Sequence, residues 1–266
     1  MPDHDRAGLF YRVLGPVEVE VNGTPVRTGP TVRRALGALL AAEGQALTDD
    51  RLIDRIWPEP PRDPVAALRL IVWRIRNLFG PALRDTLRRT SIGYVLAVPP
   101  HATDHAVFTA RVTAGLSALS EGEFDYSERT FEAALALWCG EPWSEFGEDA
   151  PFVRNRLRLT ELRDIAVEEL LAARLARGQL GPTVAALRAA VGEAPYRERR
   201  WELLALGLYR SGRQVQALAE LRRVRDLLAT EIGIEPGPRL RTLQQRMLTH
   251  DPGLAADCPP ILLRAG

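Results

Sequence analysis

The spacing of hydrophobic residues changes twice in the first hundred positions. Apolar and polar residues alternate in the second half of residues 11–21, and Asn22-Gly23 then favours a tight hairpin turn. From Thr31 to Gly44 the apolar positions recur at helical spacing, and Thr48 can cap a second helix. With a third helix and a strand-like stretch at residues 87–98, the order predicts a winged helix-turn-helix.

The third predicted helix has distinct signals at both ends. Asp63 is a suitable N-cap, Pro64 suits the first helical position, and Gly80 follows Phe79 as a stop signal. At about 100° per residue, four apolar side chains form one narrow stripe that we expect to be buried. These are Leu68, Val72, Ile75 and Phe79.

Polar and aromatic side chains occur on the other faces of this helix. Arg69, Trp73 and Arg76 share one face, and Leu70 and Asn77 lie beside them. Arg74 points in a third direction. The helix therefore presents guanidinium and indole groups away from its buried side.

Residues after Asp104 are helical in pattern almost throughout. Trp201, Leu204, Leu208 and Ala217 have the spacing of a tetratricopeptide helix pair, and more degenerate copies precede them. We expect a mainly α protein with a small β component: a winged helix-turn-helix followed by an all-α, tetratricopeptide-like repeat domain. The predicted domains are 1–101 and 102–252, with a tail at 253–266. Stacked helical repeats usually serve in binding.

An excess of positive charge surrounds the third predicted helix. All 35 basic residues are arginines, and the net charge of the 266-residue chain is only +1. Between residues 65 and 95, however, six arginines face a single acid, Asp85. A local excess of this kind is typical of a surface that meets a polyanion, although solvated faces also carry charge runs.

Composition and motifs exclude several classes. With 46% hydrophobic and 26% charged residues, no apolar run near 20 residues and no signal-like amino end, we expect a globular, cytoplasmic, nucleoid-associated protein without a membrane partner. No P-loop, G-x-S-x-G or H-E-x-x-H motif is present, so we expect no catalytic residue and no cofactor. His101 and His105 lack an evident third ligand, so no metal site is expected. We interpret Cys139 as a small buried residue.

Several longer motifs resemble a known family. The amino-terminal ones are Val13-Leu-Gly-Pro-Val-Glu-Val, Arg51-Leu-Ile-Asp-Arg-Ile-Trp-Pro and Gly93-Tyr-Val-Leu; the carboxy-terminal ones are Tyr196-Arg-Glu-Arg-Arg, Leu208-Tyr-Arg-Ser-Gly-Arg and Glu231-Ile-Gly-Ile-Glu-Pro-Gly-Pro. They resemble the Streptomyces antibiotic regulatory proteins, the AfsR/SARP family, whose OmpR-type winged helix precedes a bacterial transcriptional activation domain. The resemblance extends from about Tyr11 to Leu254.

The resemblance implies a transcriptional activator, specific for a secondary-metabolite gene cluster. It implies binding to direct repeats in double-stranded promoter DNA as a homodimer, and contact with the sigma or alpha subunit of RNA polymerase. The residues implied in DNA contact are Arg69, Trp73, Arg74, Arg76 and Asn77 on the helix, and Arg88 and Arg89 on the wing.

Two positions depart from the family pattern, and one alternative function stays open. The family usually has a small or polar residue at Trp73 and a second basic residue at Asn77. Tryptophan can contact sugar or a thymine methyl group, and asparagine can read adenine. The alternative is a repressor, or a helical-repeat sensor of a ligand or partner, in which DNA binding is conditional.

Overall fold

The computed structural model describes residues 8–80 and 84–254. It begins with an antiparallel sheet of three strands, β1 (Leu9–Arg12), β2 (Glu18–Val21) and β3 (Thr24–Val26). The hairpin at Asn22-Gly23 is confirmed: both residues have positive φ, 52° and 75°, as a type I′ turn requires. Residues 11–21 do not form one continuous strand, however, because the chain turns between Arg12 and Glu18 and pairs β1 with β2.

Three helices follow the sheet: α1 (Pro30–Ala41), α2 (Asp49–Ile56) and α3 (Pro64–Phe79). The hydroxyl of Thr48 accepts a hydrogen bond from the amide of Arg51, and the Asp63 carboxylate accepts one from the amide of Ala66. These are the N-caps that the sequence predicts for α2 and α3. The predicted buried stripe of α3 is confirmed, with Ile71 added to it.

A two-stranded wing completes the winged helix. Strand β4 (Leu87–Arg89) pairs antiparallel with β5 (Tyr94–Leu96), and Leu87 and Leu96 are both buried. A short 3-10 turn at Arg84–Thr86 precedes β4.

The rest of the described chain is helical. Its α-helices are α4 (Asp104–Glu121), α5 (Phe124–Leu135), α6 (Ala150–Ala176), α7 (Leu180–Glu193), α8 (Glu198–Arg210), α9 (Gln214–Leu227) and α10 (Pro238–Leu248). Short 3-10 turns lie at Pro100–Ala102 and Pro252–Leu254, and a π-helical turn spans Leu228–Ile232. The fold is therefore mainly α with a small β component, as the sequence predicts. Of the predicted tail, 253–266, residues 255–266 lie outside the described residues.

The chain forms two compact units, and each unit contains two separate stretches of the sequence. Among the described residues, the first contains 8–80, 84–110 and 134–163, and the second contains 111–133 and 164–254. Helices α4 and α6 each contribute to both units. None of the helices among the described residues is long and apolar enough to cross a membrane.

In the first unit, residues 134–163 complete the winged helix. The amide of Cys139 donates to the carbonyl of Leu14 at 2.8 Å, and the amide of Trp143 donates to that of Val13 at 3.0 Å. These bonds satisfy backbone groups that the β1–β2 connection leaves without ladder partners. Cys139 itself is exposed, so its interpretation as a buried residue is wrong.

Glu145 contacts two elements of the winged helix. Its carboxylate accepts a hydrogen bond from the amide of Val17 at 2.9 Å and pairs with Arg33 on α1. The next residue, Phe146, packs so closely on α1 that a Cβ on Gly37 would lie 2.5 Å from its ring. Glu145 is therefore a structural carboxylate here.

Asp104 and His105 are adjacent buried groups with opposite pKa shifts. The Asp104 carboxylate accepts hydrogen bonds from the amides of Val13 and Leu14, but burial still raises its pKa to about 6. Burial, together with the charge of Arg158, lowers the pKa of His105 to about 4.

These shifts predict that the stability of the fold depends on pH, and substitution of His105 separates the two opposing contributions. Folded Asp104 keeps a proton that the unfolded chain loses above about pH 4, so its contribution to stability falls as pH rises to about 6. His105 gives the reverse: the unfolded chain gains a proton below about pH 6.5, so stability falls as pH drops towards about 4. We therefore expect the stability of His105→Gln, relative to wild type, to rise by up to about 3 kcal/mol as the pH falls from about 6.5 to about 4.

Urea denaturation of wild type and His105→Gln at several pH values measures this difference. Asp104→Asn is the matched control, and its relative stability should change with pH in the opposite direction. Parallel pH profiles for wild type and His105→Gln would contradict the assignment.

The second unit contains the predicted helix pairs. Helices α8 and α9 form the pair predicted from Trp201 and Ala217, and both residues are buried in the core shared with α7 and α10. In the pair of α4 and α5, a Cβ on Gly115 would lie 2.8 Å from the ring of Phe131, so the helices approach closely there. The tetratricopeptide-like pattern is thus realised as packed helical hairpins.

A buried ionic cluster joins α6 to α8. Arg200, only 2% exposed, donates to Asp164 at 2.6 Å, to Glu168 at 3.3 Å and to the carbonyl of Ala190 at 2.7 Å. Its neighbour Arg199 forms a two-point contact with Glu169, with distances of 3.1 and 3.2 Å. The motif Tyr196-Arg-Glu-Arg-Arg is therefore structural in this unit, because its arginines hold two helices together.

The other two carboxy-terminal motifs also form helix junctions. Arg210 donates to the carbonyl of Leu254 at 3.0 Å, and Gly212 has a φ of 73° at the α8–α9 turn. At the start of α10, the amide of Gly237 donates to the Glu198 carboxylate at 2.8 Å.

Candidate nucleic-acid interface

The surface of α3 opposite its buried stripe is exposed. Trp73 lies near the centre of this surface, and 59% of its side chain is accessible. Leu70 is 47% exposed, and Arg69, Arg74 and Asn77 are also exposed. We call these five residues the α3 face. Trp73 and Leu70 lie three positions apart on the same exposed surface, and an exposed apolar patch that polar residues surround is typical of an interaction site.

The arginines of the α3 face have no partner in the described part of the chain. Neither Arg69 nor Arg74 forms a hydrogen bond or ion pair there, and the same holds for Arg88, which projects from β4. Their positive charges are therefore not compensated by neighbouring carboxylates. Guanidinium groups in this state can form two-point contacts with phosphate or guanine without first breaking an internal bond.

Arg76 has a different environment. It is half-buried, and its Nε donates to the main-chain carbonyl of Leu87 at 3.0 Å. Leu87 begins β4, so this bond joins α3 directly to the wing. Arg76 thus sets the position of the wing beside the α3 face.

Arg89 is paired across the winged helix. Its Nη1 contacts the Asp49 carboxylate at the start of α2, and its guanidinium lies 4.6 Å from the ring centre of Tyr94. The hydrogen bond that Arg89 donates to the Asp49 carboxylate raises the pKa of Arg89. Of the two wing arginines, Arg88 can contact a ligand directly. Arg89 must either break its bond to Asp49 or contact the ligand through an N–H that Asp49 does not accept.

The wing is attached to the start of α2 through backbone bonds. Leu47 and Tyr94 exchange two hydrogen bonds, of 2.9 and 2.8 Å. Beside them, a Cβ on Gly93 would lie 1.8 Å from the carbonyl oxygen of Leu47, so only glycine fits. At the tip of the wing, Ile92 is 64% exposed.

The predicted residues lie on α3 and on the wing to which Arg76 joins it, and their environments differ. Sequence spacing did not indicate the partners of Arg76 and Arg89, because Leu87 and Asp49 lie on other elements. The exposure of Ile92 at the wing tip was not predicted either. The only available signal for that was its place in the Ser91–Gly93 turn.

An exposed helix beside a wing, followed by packed helical hairpins, defines a protein of the winged-helix class. Comparison with known proteins agrees: residues 103–248 match the family model of the bacterial transcriptional activator domain. The chain belongs to this family, the AfsR/SARP group of transcriptional regulators.

Named relatives cover nearly the whole chain. It is 38% identical to the regulatory protein AfsR of Streptomyces coelicolor over an alignment of 257 positions that covers 95% of this chain and 25% of AfsR. It is 30% identical to the regulatory protein DnrI of Streptomyces peucetius over an alignment of 264 positions that covers 95% of this chain and 97% of DnrI. These relatives are named as regulators and not as enzymes.

A solved structure has the same fold. EmbR of Mycobacterium tuberculosis, determined in complex with a low-affinity phosphopeptide, superposes with a TM-score of 0.83 at 33% identity. The match covers 91% of this chain and 65% of the EmbR chain. The chain thus spans about a quarter of AfsR and under two thirds of EmbR.

Proposed function

We propose that this protein is a sequence-specific DNA-binding transcriptional activator of a secondary-metabolite gene cluster. The observation that carries the proposal is the α3 face, whose Arg69 and Arg74 have no partner among the described residues, next to a wing whose Arg88 likewise has none there. In this proposal α3 enters the major groove, which admits one α-helix, and the wing lies along the adjacent backbone.

Each residue of the surface has a chemical role. Arg69 and Arg74 donate to guanine edges or phosphates, and Asn77 reads adenine. Trp73 and Leu70 supply apolar contact to thymine methyl groups. Arg88 binds phosphate, and Arg89 joins it when DNA phosphate replaces Asp49 as its partner. Arg76 acts as a positioning residue through its bond to Leu87.

The binding energy has a large electrostatic part. Each arginine that neutralises a phosphate releases condensed counterions, so affinity falls steeply as salt concentration rises. Residues 65–95 hold six arginines and one acid in a chain whose net charge is only +1, so this attraction is concentrated at α3 and the wing.

The second half of the proposal concerns activation. Two copies bind direct repeats as a head-to-tail pair, and the helical repeats of residues 102–252 contact the sigma or alpha subunit of RNA polymerase. Support comes from the match of residues 103–248 to the activator-domain family. A transcription assay with and without the promoter repeats decides between activation and repression.

We predict that Arg69→Ala/Arg74→Ala weakens specific DNA binding by at least about tenfold, since each good base contact contributes about 1–3 kcal/mol. The slope of affinity against salt should also become shallower, by about one per lost phosphate contact. Footprinting and fluorescence anisotropy on DNA from the protein's own upstream region measure both effects.

The matched control replaces two other exposed arginines, Arg222 on α9 and Arg241 on α10. This double alanine variant should bind DNA as the wild type does. Equal losses in the two variants would indicate non-specific charge attraction and contradict the assignment of α3.

A further inference from the structure

The first compact unit contains a cavity of about 510 Å³. The end of α1 and strand β5 with the segment after it form two walls, and the first two turns of α4 form the third. Small-molecule sites typically measure about 300–1,000 Å³. The cavity is therefore large enough for a ligand of drug-like size.

Aliphatic side chains dominate the walls. Leu39 and Leu40 come from α1, Leu96 and Val98 from β5 and its continuation, and Ala106 and Ala110 from α4. The two alanines lie four residues apart, so they share one face of α4. Because their side chains are small, open space remains between α4 and the larger side chains of the other two walls.

The polar groups of the lining carry no net charge at neutral pH. Arg158 and Glu43 form an ion pair, with Nη2 and Oε1 3.6 Å apart, and both side chains are about half exposed. His105 is neutral there, since burial lowers its pKa to about 4. A charged ligand body would lose its hydration in this cavity without meeting an unpaired opposite charge.

We propose that this cavity binds an uncharged, mainly apolar small molecule that carries a hydrogen-bonding oxygen at one end. The apolar body lies between α1, β5 and α4. The polar end reaches the Arg158–Glu43 pair, which can both donate to and accept from it. Binding at this site does not require DNA, so it is tested independently of the proposed function.

The test uses the full-length protein and phenylnaphthylamine, an uncharged apolar fluorophore. We expect saturable fluorescence enhancement with one probe per chain. Ala110→Phe narrows the cavity from an exposed position and should weaken binding by at least about tenfold. Ala106→Phe fills it from deeper on the same face, and circular dichroism verifies that both variants are folded.

Ala133→Phe is the matched control, because it makes the same exchange at an exposed helical position outside the lining. It should bind the probe as wild type does. Unchanged binding in folded Ala110→Phe would overturn the site. Tighter binding of the anionic analogue anilinonaphthalene sulfonate than of phenylnaphthylamine would overturn the ligand class.

Discussion

Arg200→Ala should lower the free energy of unfolding by about 3–5 kcal/mol, the usual cost of removing one partner from a buried ion pair. Arg200 is 2% exposed and donates to two carboxylates and one carbonyl. Its loss leaves Glu168, itself 4% exposed, with one cation fewer and removes the donor to Ala190. Urea denaturation followed by circular dichroism measures the change.

The control for this prediction is Arg129→Ala. Arg129 also pairs with a carboxylate, Asp125 at 2.8 Å, but its side chain is 67% exposed. Exposed pairs of this kind contribute about 0.2–1 kcal/mol. If both substitutions cost the same, the cluster between α6 and α8 does not stabilise the second unit as we infer.

Gly93→Ala should impair the wing more than any single arginine substitution. The new Cβ would lie 1.8 Å from the Leu47 oxygen and 2.8 Å from the Thr48 Cα, both backbone atoms that side-chain rotation cannot move. Relief of this clash breaks the paired bonds between Leu47 and Tyr94. We expect a stability loss of about 1–3 kcal/mol and, with DNA bound as proposed, a fall in specific affinity of at least about tenfold.

Thermal denaturation and anisotropy with promoter DNA measure the two effects. Gly147→Ala is the control, since a Cβ at Gly147 meets no atom within 4 Å and this residue has no positive φ. Wild-type DNA affinity in Gly93→Ala would show that the attachment of the wing to α2 does not matter for binding.

Local signals were sufficient for the winged helix. Capping residues such as Thr48 and Asp63 act within three positions of the chain, so their effect can be predicted from spacing alone. The buried stripe of α3 follows in the same way from helical periodicity. The exposure of Arg69, Trp73 and Asn77 was predictable in the same way, whereas Arg76, predicted on the same face, is half-buried against the wing.

Contacts between distant residues were not predictable from the same signals. Arg76 and Leu87 are 11 positions apart, and Asp49 and Arg89 are 40 apart. Both bonds depend on how the wing packs, which no periodicity encodes. The exposure of Cys139 was missed for the same reason, since its amide and not its side chain faces the winged helix. The boundary at residue 101 stays a prediction about sequence modules.

The return of residues 134–163 to the winged helix constrains the order of events during synthesis. Domains generally fold as units while the chain emerges from the ribosome. Here the carbonyls of Val13 and Leu14 obtain their partners only after Trp143 and Cys139 have been translated. The ribosome must therefore produce residues 111–133 of the second unit before the first can close. A nascent chain that stops near residue 101 contains every strand and helix of the winged helix, but its Val13 and Leu14 carbonyls still lack the hydrogen bonds from Trp143 and Cys139.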